Sequence, residues 1–358
     1  LCLALSSTLP ATAQAASPAN SAEQIRRVLV DAQLAMISDP AGAREAVSAA
    51  EATFFAALSP QLSASAPEAN ARVEAGFAIM RASAEAADAP ALAAARAEVW
   101  TAILDGSYQT MEAALQRGEA SAARAWLALR EYRTATRYSR AGADATLAVE
   151  RLAAGEMSAA DAALTVRADL YDTYQARLGE SLRDLASADA RGFAGRRAEL
   201  AALAAGYFAI LAPAYAEQRG TDALATASTA FANLTSAALG SDSLTSSLDA
   251  VNGALDGFRA APLNPADQAR RAGQLLRFIG LVPVEYGRGV KDGRVIHDFE
   301  IQEAVSFHEA AYAAFADLRD LLPSDSAAQA GALLDQIGAQ LADATQGNGV
   351  ADAGDVKQ

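Results

Sequence analysis

Cysteine is nearly absent: the only one in 358 residues is Cys2. Cys2 lies in an N-terminal segment that reads as a signal to be removed, and a mature chain without it has no disulfide, no thiolate nucleophile and no Cys-based zinc or iron–sulfur site. Histidine is almost as scarce, with only His297 and His308. No serine-centred elbow, no glycine-rich phosphate loop and no nucleophile–base spacing is visible, so an enzyme is not expected. Basic residues are also in deficit, 29 against 43 acidic ones for a net charge of −14. That balance argues against nucleic acid and against anionic lipid, and is compatible with attracting cations. Aromatics make up 6%, and the 24 glycines and 11 prolines fall mostly between periodic segments, which excludes disorder and an all-β fold. Beyond the N-terminus no run of about 18 apolar residues occurs, so no transmembrane segment is expected in the chain.

What is present is alanine, a strong helix former that carries much of the 52% hydrophobic share. Leu1 to Ala15 (LCLALSSTLPATAQA) reads as the remnant of a secretory signal, with small residues at Ala13-Gln14-Ala15. From about Ser21 the apolar spacing is helical, and Ile25, Val28, Leu29 and Ala32 open the pattern. Further helical stretches are expected at 41–58, 66–87, 90–117, 120–134, 143–152, 158–187, 190–219, 221–238, 243–258, 265–280, 298–321 and 325–345. Gly- or Pro-bearing breaks separate them, and such short connections favour antiparallel packing. The expected fold is therefore all-α, a multi-helix antiparallel bundle or bundles. Residues 16–345 form its helical domain, with a seam near 188–195. GLVPVEYGRGVKDGRV, over 280–295, reads as an irregular loop, and 346–358 as a flexible polar tail or linker.

Two groups of residues bear on function. In HDFEIQEAVSFHEAAYAAF, His297 and His308 stand among Asp298, Glu300, Glu303 and Glu309. Imidazole with carboxylates suits Fe, Zn or Cu. At 100° per residue His308 shares the apolar stripe of Ile301, Val305, Tyr312 and Phe315, so it points into the core as a hydrogen-bonded histidine. Glu300 and Glu303 are an i, i+3 pair on one face, able to chelate a cation if another element adds ligands. Asp298 and Glu300 also sit at a helix start, where negative charge is favourable without any metal. His297-x-x-Glu300 has the spacing of an imelysin-type motif, but Val295 stands where that motif has glycine.

Arg130, Arg133, Arg137 and Arg140, in REYRTATRYSR, are spaced to share one helical face. Such a stripe meets an anionic ligand, lipid or protein partner, or acidic side chains of its own chain such as Asp169 and Asp172. Trp100, Trp126, Tyr171, Tyr174, Tyr207 and Phe208 read as core anchors.

Several segments together resemble one family: EVWTAILDGSY (98–108), ARAWLALREYRTATRYSRAGADAT (123–146), RADLYDTYQARL (167–178), GYFAILAPAY (206–215), LVPVEYGRGVKDG (281–293) and FEIQEAVSF (299–307). It is the large extracytoplasmic region of bacterial high-affinity iron permeases, the iron/lead transporter family, and the likeness runs from Asn70 to Leu322. The resemblance implies a helical domain outside the cytoplasmic membrane, tethered to or partnered by a membrane permease region. That family transports through Arg-Glu-x-x-Glu motifs in membrane helices, and no such motif occurs here. The reading it supports is a non-catalytic extracytoplasmic component of iron uptake, located in the periplasm or cell envelope. Iron is its one expected cofactor, with Glu285, Glu300, Glu303 and His297 as contacts and a phenolate from Tyr286 available. Two alternatives stay open. One is a cell-envelope interaction module that uses the arginine face and no metal. The other is an imelysin-like protein in which His297 and Glu300 share an ion.

Overall fold

The computed structural model describes residues 17–36, 38–132, 143–347, 350, 351 and 356. Among these, fourteen α-helices and one two-stranded ribbon make up nearly all the regular structure, as an all-α chain requires. The reading of 1–15 as a signal remnant lies outside the described residues.

The chain divides into two compact units with the main boundary at Leu255/Asp256, and the described residues Ala143 and Asp144 group with the second. The first unit contains α1 (Pro18–Ala35), α2 (Pro40–Ala57), α3 (Ser59–Ser65), α4 (Pro67–Glu85), α5 (Ala89–Gln116) and α6 (Ala120–Leu127). It continues with α7 (Ala145–Ala153), α8 (Ala159–Ala190), α9 (Ala194–Arg219), α10 (Thr221–Leu239) and α11 (Thr245–Leu255). Local chemistry starts these helices where the chain needs them. Ser17, Asp39, Asp88 and Ser158 each accept a hydrogen bond from a first-turn N–H. Pro18, Pro40 and Pro90 follow three of those caps, where a missing N–H costs nothing.

Helix α5 runs through the middle and packs against α4 and α9, and α9 in turn against α8 and α10. Small residues let the backbones approach. A methyl placed on Gly76 of α4 would lie 2.6 Å from Val99 of α5, so only glycine fits that crossing. Aromatic anchors fill what remains: Phe208 stacks on Phe231 at 4.4 Å, and Tyr174, Tyr207 and Trp126 are buried. Trp100 is only half-buried.

The first unit corrects three expectations. The stretch around 188–195 is no seam but the tight Arg191–Phe193 turn between α8 and α9, two helices of one unit that pack on each other. Helix α6 stops at Leu127, short of the expected 134, so Arg130 lies beyond it and not on a helical face. Arg133, Arg137 and Arg140 lie outside the described residues. Helix α9 is long and apolar enough to cross a membrane by length and composition, contrary to the expectation that no segment qualifies. Its most apolar window is 61% buried within the protein, so core packing accounts for that character.

The second unit holds α12 (Pro265–Gly289), β1 (Val290–Lys291), β2 (Arg294–Val295), α13 (Asp298–Leu318), a 3₁₀ turn at Arg319–Leu321 and α14 (Ser324–Gln346). Asn264 caps α12 ahead of Pro265. The expected loop at 280–295 is instead the last turns of α12 followed by a hairpin. Pro283 stands inside the helix without breaking it. It removes one N–H, and the packing of Val282 and Tyr286 on either side outweighs that loss. The strands pair Val290 with Val295 and Lys291 with Arg294 around Asp292-Gly293. Both turn residues have positive φ, +50° and +67°, as a two-residue hairpin with the twist of its strands demands.

Described residues of the tail pack on this unit. Val356 is buried, Val350 and Ala351 pack on the cluster of Val282, Tyr286, Ile301 and Leu341, and the Tyr286 hydroxyl donates to the Ala351 carbonyl at 3.0 Å.

Candidate metal centre

Helices α12 and α13 are neighbours in sequence joined by the hairpin, and their close packing rests on Gly289. A methyl there would lie 2.7 Å from Ile301 Cδ1. The Gly289 carbonyl accepts from the N–H groups of Ile296 (2.7 Å) and His297 (3.2 Å), which pins the start of α13 to the end of α12. Ile301 and Ala304 turn inward, so Glu300 and Glu303 fall on the flank of α13 that meets α12. Glu285 reaches the same place from one turn above Gly289.

Carboxylate oxygens of Glu285, Glu300 and Glu303 lie within 4.8 Å of one another. Glu285 is buried, 6% exposed, and its Oε2 accepts from Arg288 at 2.6 Å. Glu300 Oε2 is buried without a hydrogen-bond partner among the described residues. Loss of hydration, a hydrogen bond with Glu285 and the charges of Glu285 and Glu303 push the Glu300 carboxyl above the usual range, and Arg288 pulls it down. Three carboxylates so arranged repel one another unless a proton or a cation joins them. Oxygen donors of this kind suit hard multivalent cations bound at about 2.0–2.6 Å.

Three of the four expected metal contacts therefore come together, and His297 does not. It is exposed at the N-cap of α13, makes no capping bond through its side chain, and lies outside the carboxylate set. Tyr286 offers no phenolate, because its ring is fully buried and its hydroxyl is committed to Ala351. His308 behaves as a packing residue: Nε2 sits 2.7 Å from the Leu334 carbonyl of α14, and Gly338 leaves room for its ring.

Sequence reasoning passed over a second polar set, in the first unit. Glu131 Oε1 accepts from Trp100 Nε1 (2.8 Å) and the Tyr207 hydroxyl (3.2 Å), while Oε2 pairs with Arg177 (3.3 Å). Arg130 beside it donates to the Leu127 carbonyl and Thr146 Oγ1 and covers the Tyr132 ring at 4.7 Å. These residues come from five separate segments, and no spacing in the sequence links them. The set is structural: it ties residues 130–132 to α5, α8, α9 and the start of α7.

Residues 14–254 match the family model of the iron permease FTR1 N-terminal domain. The chain belongs to the iron permease FTR1 family. Residues 264–358 match the iron permease-associated 4-helix bundle domain, so the two matches meet where the structure divides. No curated protein and no solved structure matches the chain. FTR1 membership connects the chain with iron uptake and places it in a family of transporters. It also overturns the extracytoplasmic location expected from the sequence, since the FTR1 family is one of integral membrane transporters.

Proposed function

We propose that this FTR1-family chain binds iron through Glu285, Glu300 and Glu303 and passes it on toward a permease region, of the same or a separate chain, without catalysing a reaction itself. The observation that carries this reading is the convergence of three carboxylates from α12 and α13 on one spot. Their chemistry supports iron as cargo: carboxylate oxygens are hard donors, suited to iron(III) more than to a soft metal. Burial supports exchange as well as capture, because Glu285 anchors the spot from inside while Glu300 and Glu303 remain part-exposed. Water completes the coordination on that open side, and an ion can leave the way it came.

The test is iron retained by the full chain after equilibration with iron(III) citrate and desalting, compared with E300Q/E303Q and E285Q. The double substitution is expected to abolish retention and E285Q to weaken it at least about tenfold. Retention unchanged in E300Q/E303Q removes these residues from iron handling.

A further inference from the structure

Glu285 raises a question that its neighbours answer. Its side chain is 8% exposed, and a carboxylate so buried is costly unless something compensates its charge. The compensation comes from Arg288, one turn on, whose Nη1 lies 2.6 Å from Glu285 Oε2. The two ends of this pair differ. The Arg288 side chain is 61% exposed, so its guanidinium can swing into water with little desolvation cost, whereas Glu285 cannot follow. Arg288 is also the basic residue in the last turn of α12, where the helix dipole favours a positive charge whether or not it pairs.

We infer that Arg288 is the resident counter-ion of the Glu285–Glu300–Glu303 set, holding the empty site together and yielding to multivalent cations only. The inference rests on the iron-binding reading above. One guanidinium against three carboxylates leaves the site about two charges short of neutral, and Glu300 Oε2 stays buried without a hydrogen-bond partner among the described residues. A monovalent ion that displaced Arg288 would exchange one unit charge for another and gain nothing. A divalent or trivalent ion brings more charge than it displaces, and it reaches the Glu300 oxygen that the guanidinium leaves unpaired. Arg288 thus sets a threshold in ionic charge.

The experiment uses the full chain and its R288Q and R288K variants, with iron(III) citrate as the probe. Without metal, R288Q is expected to melt several degrees lower than the parent, because Glu285 loses its partner, and saturating iron should restore most of that loss. Iron affinity should rise at least about tenfold in R288Q, since a competing positive charge is gone. Sodium or potassium at 0.5 M should compete with iron in R288Q more than in the parent. R288K should resemble the parent throughout. Iron affinity equal or weaker in R288Q, with the parent binding normally, overturns the counter-ion role and leaves the iron site standing. No binding by parent and R288Q alike overturns the iron site, and this inference with it.

Discussion

Gly206 of α9 faces Thr101 of α5 so closely that a methyl group on the glycine would lie 1.9 Å from the threonine Oγ1. The contact sits where the central helix of the first unit meets α9, and Thr101 is held in place by its bond to the Ala97 carbonyl at 3.0 Å. G206A therefore forces two helices apart. Overpacking of this kind costs about 1–3 kcal/mol, and denaturant unfolding should register a loss at the upper end of that range. T101A/G206A should recover only part of it, because the Cβ that alanine keeps at 101 would still lie 2.4 Å from the added methyl. Equal stability of G206A and the parent would show that α9 relaxes freely there.

Two tyrosines that stack on each other should respond differently to loss of their hydroxyls. Tyr174 and Tyr207 lie 6.2 Å apart, both buried. The Tyr207 hydroxyl donates to Glu131, while the Tyr174 hydroxyl is buried with no hydrogen-bond partner among the described residues. Y174F should leave stability within about 0.5 kcal/mol or raise it, whereas Y207F should cost about 1–2 kcal/mol, since a bond to a charged acceptor is lost. Paired urea titrations measure both.

His308 separates structure from metal chemistry. Its ring bonds the Leu334 carbonyl across to α14, away from the carboxylate set. H308A should lower the stability of the chain by about 1–2 kcal/mol, through the lost ring contact to the Leu334 carbonyl and the gap left beside Gly338. Iron retention by H308A should match the parent. A drop in retention with normal folding would bring His308 into the site.

Acidity acts on Glu300 with a definite sign. Its carboxyl is raised above its ordinary value, so the folded chain holds that proton more tightly than the unfolded one does. The stabilising contribution of this group is present below the ordinary carboxyl range and is lost as pH rises from there through the folded-state value. Other carboxyls add their own slopes: burial raises Asp105 and Glu98 with the same sign, and the bond from Arg26 lowers Glu23 with the opposite sign. The informative quantity is thus the difference between the parent and E300Q, measured by metal-free unfolding from pH 4 to pH 8. The parent should lose stability relative to E300Q as pH rises. Bound iron should reverse that trend in the parent, because the cation replaces the proton and binds best where Glu300 is ionised.

Much of this was determined by the sequence alone, wherever neighbours along the chain act on each other. Caps such as Asp39 before Pro40 set helix starts, apolar spacing sets helix faces, and the three-residue step from Glu300 to Glu303 puts both carboxylates on one flank. The inward turn of His308 follows from the same periodicity. The family resemblance was also legible, carried by whole segments in order, though it misled on location.

The tertiary structure decided the rest, because it concerns groups brought together by packing. Pro283 and the glycines around it look like helix breakers, yet α12 runs through them, since burial of Val282 and Tyr286 outweighs one missing hydrogen bond. Only that continuation, with Gly289 packed against Ile301, sets Glu285 opposite Glu300 and gives Arg288 its partner. Glu131 gathers Trp100, Arg177 and Tyr207 from three helices by the same logic, as spacing along a chain specifies a helix face and packing specifies what that face meets.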